Sequence, residues 1–142
     1  MKTLYLFFFL LISNFIYSQS ITDYHLGDNF TSSEDMIFTR VGNLDGVIFI
    51  YTDDDDKIIS IGFVPSYDGF TPRHVEEKDF RDFMYNLRKM YSTDFDRNIQ
   101  NWRKKHHYVA RLDKDTKLVV TIDDFTESSY ARLSMMINRV KK

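Results

Sequence analysis

Two adjacent histidines, His106 and His107, are the side chains in this sequence whose type best suits acid–base or metal chemistry. Consecutive residues of a strand point to opposite faces of a sheet, so we expect this pair not to converge on one metal ion. The zinc-peptidase pattern of two histidines four residues apart, with a glutamate between them, does not occur. The sequence therefore predicts no metal site at the histidine pair.

Four consecutive aspartates, residues 53–56, are the second group with an obvious chemistry, that of a cation site. A helix-loop-helix calcium loop needs glycine at its sixth position and glutamate at its twelfth, and counting from Asp53 these positions hold Ile58 and Val64. Adjacent acids in a turn point in divergent directions. We interpret the run as a solvated turn that also keeps a sheet edge from pairing with another chain.

The sequence contains no pattern that is typical of covalent catalysis or of cofactor binding. The five glycines are too far apart to form a phosphate loop, and Ser128 and Ser129 lack a recognisable base and acid. The paired carboxylates Asp123 and Asp124 are adjacent, and adjacent residues leaving a strand seldom straddle one bond. We predict no catalytic residue and no cofactor, and an enzyme is the less favoured class.

Residues 97–111 form the segment that most suits binding, because they hold five basic residues, two histidines, a tryptophan and a tyrosine but no acid. Cations beside aromatic rings suit an anionic partner. The candidate binding residues are Arg97, Trp102, Arg103, Lys104, Lys105, Tyr108 and Arg111. In the alternative interpretation, Trp102 anchors a helix in the core and the neighbouring bases complement the helix C-terminus.

The N-terminus predicts export. Lys2 precedes an uncharged apolar run and a small residue, Ser18, which is the order of a cleavable signal peptide over residues 1–18. This segment alone resembles the signal peptides of Bacteroidetes-type bacteria. The chain has no cysteine, hence no lipobox residue for a lipid anchor and no disulfide. We expect a periplasmic or secreted protein without an integral membrane segment after cleavage.

The rest of the chain predicts an irregular lead-in over residues 19–35 and one α+β domain over residues 36–142. Strand patterns cover 36–41, 47–51 and 59–63, and a second hairpin covers 108–112 and 118–122. The tail, 130–140, fits strand and helix templates equally, and we choose a strand because residues 123–129 have the polarity of a connection back to the hairpin.

Helical spacing separates the two groups of strands. Thr71 and Pro72 have the types expected at a helix N-cap and first turn, and an amphipathic pattern follows to Tyr91. Phe95, Ile99 and Trp102 suggest a second helix through about Lys105. The predicted order is β-β-β-α(α)-β-β-β, an antiparallel sheet with one or two helices packed on one face.

Charge is divided along the chain, with 16 acids against 7 bases in residues 19–96 and 5 acids against 11 bases in residues 97–142. Such a division favours a charged interaction face, although opposite halves can also neutralise each other within one fold. The function that we expect is a small exported, non-enzymatic binding or inhibitory domain, with a protein or an anionic glycan as partner and nucleic acid disfavoured. Alternatives are a hydrolase of extracellular polymers, with His106, His107 or the Asp123–Asp124 pair as its candidates, and an envelope-associated structural factor.

Overall fold

The protein is built on a seven-stranded antiparallel sheet with an α-helix on one face. The structure, a computed structural model, describes residues 19–32, 35–100, 105–125 and 128–140. The predicted signal peptide, residues 1–18, lies outside these residues. The α+β class predicted from the sequence is confirmed, while the arrangement of its elements differs in part.

Nine strands and one α-helix follow one another along the described chain, after a short 3-10 turn at Ile21–Asp23. In order they are β1 (Met36–Val41), β2 (Leu44–Thr52), β3 (Ile58–Pro65), β4 (Val75–Glu76), α1 (Glu77–Tyr91), β5 (Asp96–Gln100), β6 (Lys105–Arg111), β7 (Thr116–Asp123), β8 (Tyr130–Ala131) and β9 (Leu133–Arg139).

The large sheet has the strand order β1-β2-β3-β9-β7-β6-β5, and β4 pairs with β8 in a separate two-stranded ladder. It therefore consists of two three-stranded meanders, β1–β3 and β5–β7, which β9 joins at the centre by pairing with both β3 and β7. The predicted first meander and the predicted second hairpin are confirmed. The tail is a strand, as predicted, and it returns beside β7.

One face of the sheet, here called the helix-facing face, holds the core. Alternate side chains of the central strands point to it and are buried, among them Ile48, Phe63 and Met135. The ring of Phe63 stacks on that of Phe83 from α1, with 5.8 Å between the ring centroids. Gly46 lies under the Phe63 ring, at a point where a Cβ atom would collide with the carbonyl oxygen of Val64.

The lead-in packs against this core rather than extending away from it. Ile21 is completely buried, and the Thr39 hydroxyl donates to the carbonyl of Gln19 at 3.0 Å. The backbone N–H of Gly27 donates to the carbonyl of Ile58 at the start of β3, and that of Phe30 donates to the carbonyl of Asp56 in the β2–β3 turn. The aspartates 53–56 form this turn, where the Asp53 carboxylate accepts hydrogen bonds from two backbone N–H groups.

The helix begins later than the sequence indicates. Residues 71 and 72 do not cap it. Pro72 forms an isolated antiparallel β-bridge with Ser66, and the Ser66 hydroxyl donates to the carbonyl of Thr71 at 2.8 Å. Residues 75 and 76 are extended because they pair with β8, so α1 starts at Glu77. Its buried stripe, Phe80, Phe83, Met84 and Leu87, has the predicted spacing.

The predicted second helix is wrong. Within the described residues α1 is the one α-helix, and Ile99 lies in strand β5, which pairs with β6. Phe95 precedes that strand and packs against the edge of the core as a half-buried side chain. Trp102, which completed the helical spacing, lies outside the described residues.

Candidate anion-binding cleft

The β4–β8 ladder brings together basic residues that are far apart in the sequence. Val75 pairs with Ala131 in an antiparallel register, so Arg73 and His74, which precede β4, run alongside Arg132, which follows β8. The carbonyl of Arg132 also accepts a hydrogen bond of 3.1 Å from the backbone N–H of Asp123. This bond ties the basic cluster to the end of β7.

The adjoining ends of β6 and β7 supply a third cation and a carboxylate. Lys105 and Asp123 are direct cross-strand partners, with 3.8 Å between the Lys105 Nζ and an Asp123 carboxylate oxygen. Together with the ladder they surround a cleft of about 480 Å³, which we call the basic cleft. Its lining residues are Val64, Pro72, Arg73, His74, Lys105, Thr121, Asp123, Arg132, Leu133 and Ser134.

Arg73 is the most constrained cation of the basic cleft. Its side chain is 14% exposed, one guanidinium nitrogen donates to the Asp79 carboxylate at 3.1 Å, and the guanidinium lies 4.2 Å from the centroid of the Tyr67 ring. Its Nε is buried and has no acceptor within the described residues. A buried donor left without an acceptor costs about 1–3 kcal/mol, and an acceptor atom from a ligand or water would remove that cost.

A tightly bonded loop, residues 66–71, holds Tyr67 beside Arg73. The Asp68 carboxylate accepts hydrogen bonds from the backbone N–H groups of Thr71 and Phe70 and from the Ser66 hydroxyl, at 2.8 Å, 2.9 Å and 3.0 Å. These donors favour the ionised form and hold the Asp68 pKa well below its usual value. The loop leaves Tyr67 73% exposed and Phe70 88% exposed, which is typical of an interaction surface.

The basic cleft carries a net positive charge. Arg73, Lys105 and Arg132 carry positive charge, and Asp123 is the one acid among its described lining residues. Lys105 and Arg73 each face an acid, whereas Arg132 is exposed and makes no ion pair within the part of the chain that the structure describes. The hydroxyls of Thr121 and Ser134 add uncharged hydrogen-bonding groups. This set of donors suits a carboxylate, sulfate or phosphate group.

The residues predicted from the sequence are dispersed. Lys105 lines the basic cleft, but Arg111 lies six residues further along the same strand and face, about 20 Å away at the usual strand rise. Tyr108 lies on the helix-facing side, where its ring centroid is 5.3 Å from that of Phe80. Arg97 lies in β5 opposite Tyr108. The remaining three, Trp102, Arg103 and Lys104, lie outside the described residues.

The two histidines point to opposite faces, as predicted. His107 lies on the outer face, with its Nδ1 3.0 Å from the Thr121 hydroxyl. His106 faces the helix, and its Nε2 lies 3.8 Å from an Asp124 carboxylate oxygen. Among the described residues, no three histidine or acidic side chains are grouped as a metal site requires.

Sequence reasoning missed Arg73, His74 and Arg132. Each follows or precedes a two-residue strand that is too short to give a periodic pattern, and the two strands are more than fifty positions apart. The division of charge along the chain did not indicate these residues, because Arg73 and His74 belong to the acidic half. The pairing of β4 with β8 is what creates the basic cleft.

Comparison with protein-family models, with curated proteins and with solved structures finds no match to this chain. No helix in the described ranges combines the length and apolar character that crossing a bilayer requires. The geometry of the basic cleft is therefore the basis for a functional proposal.

Proposed function

We propose that the protein is an exported, non-enzymatic binding domain whose basic cleft holds an anionic group of its partner. The observation that carries the proposal is the convergence of Arg73, Lys105 and Arg132, from three separate parts of the chain, on one cleft whose described lining holds a single carboxylate. Export rests on the signal peptide predicted over residues 1–18.

The surroundings of the basic cleft favour an anionic glycan over a free small anion. Arg73 stacks on Tyr67, so the cleft continues into a loop that exposes two aromatic rings, those of Tyr67 and Phe70. Exposed aromatic surface beside a cluster of cations suits a ligand that carries both ring faces and acidic groups. The acidic group would accept hydrogen bonds in the cleft, and the rest of the partner would lie along the loop.

The test is a titration of the mature chain, residues 19–142, with sulfated and carboxylated oligosaccharides and with inorganic phosphate, followed by calorimetry. Lys105→Glu and Arg132→Glu each reverse a charge at an exposed position of the cleft. We expect each to weaken oligosaccharide binding at least tenfold, since a charge-assisted hydrogen bond contributes about 1.5–3 kcal/mol. The melting temperature of Arg132→Glu should not change, because that side chain is exposed, whereas Lys105→Glu faces Asp123 across the strands and should lower it slightly.

Arg111→Glu is the matched control, because it makes the same charge change on the same strand and face but outside the cleft. An equal loss from Arg111→Glu would show that binding is a diffuse property of the basic segment 97–111. Unchanged binding in all three variants would contradict the proposal. Equal affinity for phosphate and for the oligosaccharides would limit the partner to a small anion.

One observation favours the alternative function, hydrolysis of an extracellular polymer. His106 and the acids Glu77, Asp123 and Asp124 line a second cleft, of about 470 Å³, at the start of α1. A histidine 3.8 Å from a carboxylate is within range of general acid–base chemistry once a substrate tightens the geometry. Turnover of a glycan or peptide substrate that His106→Gln abolishes, and His107→Gln does not, would establish it.

A further inference from the structure

A cavity of about 380 Å³ lies on the helix-facing side of the sheet, away from the basic cleft. The lead-in, the C-terminal end of α1 and the β6–β7 turn enclose it, and it shares no described lining residue with the basic cleft. We call it the lead-in cavity. Its lining residues are Thr22, Tyr24, His25, Leu26, Met90, Tyr91, Leu112, Asp113, Thr116 and Ile137.

Apolar side chains around the lead-in cavity are incompletely covered by the protein. Leu26, Met90 and Leu112 pack against the core but stay only half-buried, although the adjoining Ile137 is 4% exposed. Apolar side chains that border an unfilled space lose the van der Waals contacts which the rest of the core provides. The volume is within the range of small-molecule sites, which are mostly apolar and carry a few polar groups.

The Tyr91 hydroxyl is the polar group that stands out in this cavity. Its oxygen is buried and has no hydrogen-bond partner within the described residues. Burial raises the pKa of the phenol to about 12, so the hydroxyl keeps its proton and remains a donor at physiological pH. A buried hydroxyl without a partner costs about 1–3 kcal/mol, which a ligand oxygen in hydrogen-bonding distance would offset.

Charged groups at the rim disfavour an anionic ligand. Asp113 is exposed and accepts the backbone N–H of Asp115 at 2.7 Å, which holds its pKa below the usual value and keeps it ionised. His25 lies 3.4 Å from the carboxylate of Asp28. A carboxylate ligand would meet Asp113 at the rim and Asp28 behind it, while the cation Arg139 lies beside Gly27 and is not among the described lining residues. The ligand chemistry that fits is therefore uncharged, in contrast to that of the basic cleft.

We propose that the lead-in cavity binds a small neutral amphiphile, whose apolar part contacts Leu26, Met90 and Leu112 and whose oxygen accepts a hydrogen bond from the Tyr91 hydroxyl. The lead-in forms one wall of the site. Because the predicted signal peptide ends at residue 18, this wall would be the first structured segment of the mature chain.

The experiment uses prodan, a neutral fluorescent ketone, titrated against the mature chain, with 2-octanone and octanoate as competitors. We expect a saturable blue shift of prodan emission, displacement by 2-octanone, and much weaker displacement by octanoate. Tyr91→Phe removes the hydroxyl and keeps the ring, so it should weaken prodan binding about fivefold, as the loss of one neutral hydrogen bond predicts. Tyr85→Phe, at an exposed position of the same helix, is the matched control and should change nothing.

Leu26→Trp provides an independent test, because the larger side chain fills the cavity from the lead-in and leaves the residues of α1 unchanged. It should abolish prodan binding while the chain keeps its far-UV circular dichroism. Prodan binding that survives in Leu26→Trp, or that Tyr91→Phe and Tyr85→Phe change equally, would overturn the proposal. An absence of prodan binding would overturn it as well, and a raised melting temperature in Tyr91→Phe would then show that the hydroxyl is bonded to neither a ligand nor a water. Oligosaccharide binding at the basic cleft should be the same in every one of these variants.

Discussion

The two meanders of the sheet share a topology but differ on their outer faces. In the first, β1–β3, the outer-face residues Val47 and Gly62 are buried. In the second, β5–β7, the corresponding face carries Lys105, His107 and Thr121. The outer face of the first meander is thus partly buried, although Phe38 and Tyr51 stay exposed there, whereas the second presents polar groups at the edge of the basic cleft. Substitutions in the two meanders should therefore have different effects.

The largest loss of stability is expected from Phe63→Ala in β3. Phe63 is fully buried and stacks on Phe83, and truncating a buried phenylalanine typically costs about 3–5 kcal/mol. Urea unfolding monitored by circular dichroism measures the change. Phe70→Ala, at an aromatic residue that is 88% exposed, should stay within about 0.5 kcal/mol of the parent. Equal losses at the two positions would contradict the assignment of the core.

Gly46→Ala should cause the next largest loss. The new Cβ would lie 2.6 Å from the Phe63 ring and collide with the backbone of Val64, and overpacking of this kind costs about 1–3 kcal/mol or more. Gly62→Ala on the neighbouring strand is the control, because its Cβ would meet the flexible side chain of Met136 at 2.9 Å. Chemical unfolding should show a clearly smaller loss for Gly62→Ala, and the reverse order would refute this account.

In the second meander, Thr121→Val should cost about 1 kcal/mol, the usual contribution of one hydrogen bond. The variant removes the hydroxyl that lies 3.0 Å from the His107 Nδ1 and preserves the side-chain shape. A double-mutant cycle with His107→Phe isolates the pair, and additive effects would show that the hydrogen bond contributes nothing. Thr121→Val should also change oligosaccharide binding more than the core substitution Phe63→Leu does, because Thr121 lines the basic cleft.

The smallest effect concerns pH and the loop 66–71. The Asp68 pKa is lowered in the folded chain, so its contribution to stability is fully present above the unfolded value of about 3.9. The contribution is lost as the pH falls from there towards the folded pKa. Asp68→Asn should therefore lower the melting temperature at pH 7, and the difference from the parent should shrink below about pH 4. A difference that is constant from pH 7 to pH 3 would contradict this origin.

Local patterns in the sequence were sufficient for several elements of the fold. Apolar segments of strand length between polar turns identified the first meander and the β6–β7 hairpin. At the tail the periodicity was ambiguous, and the polarity of residues 123–129 favoured a strand. The apolar stripe of α1 was equally visible, from Phe80 to Leu87. The opposite orientations of His106 and His107 followed from strand geometry alone.

Long-range pairing decided the rest. Phe95 and Ile99 fit a helix by spacing, but pairing with β6 makes residues 96–100 a strand, since it satisfies their backbone groups in the sheet. Thr71 and Pro72 resemble a helix start, but pairing of residues 75 and 76 with β8 delays the helix to Glu77. The same ladder sets Arg73 and His74 beside Arg132. The sequence by itself determined the α+β class, because the apolar patterns of strands and helix are local, whereas contacts between distant strands decided which cations share one cleft.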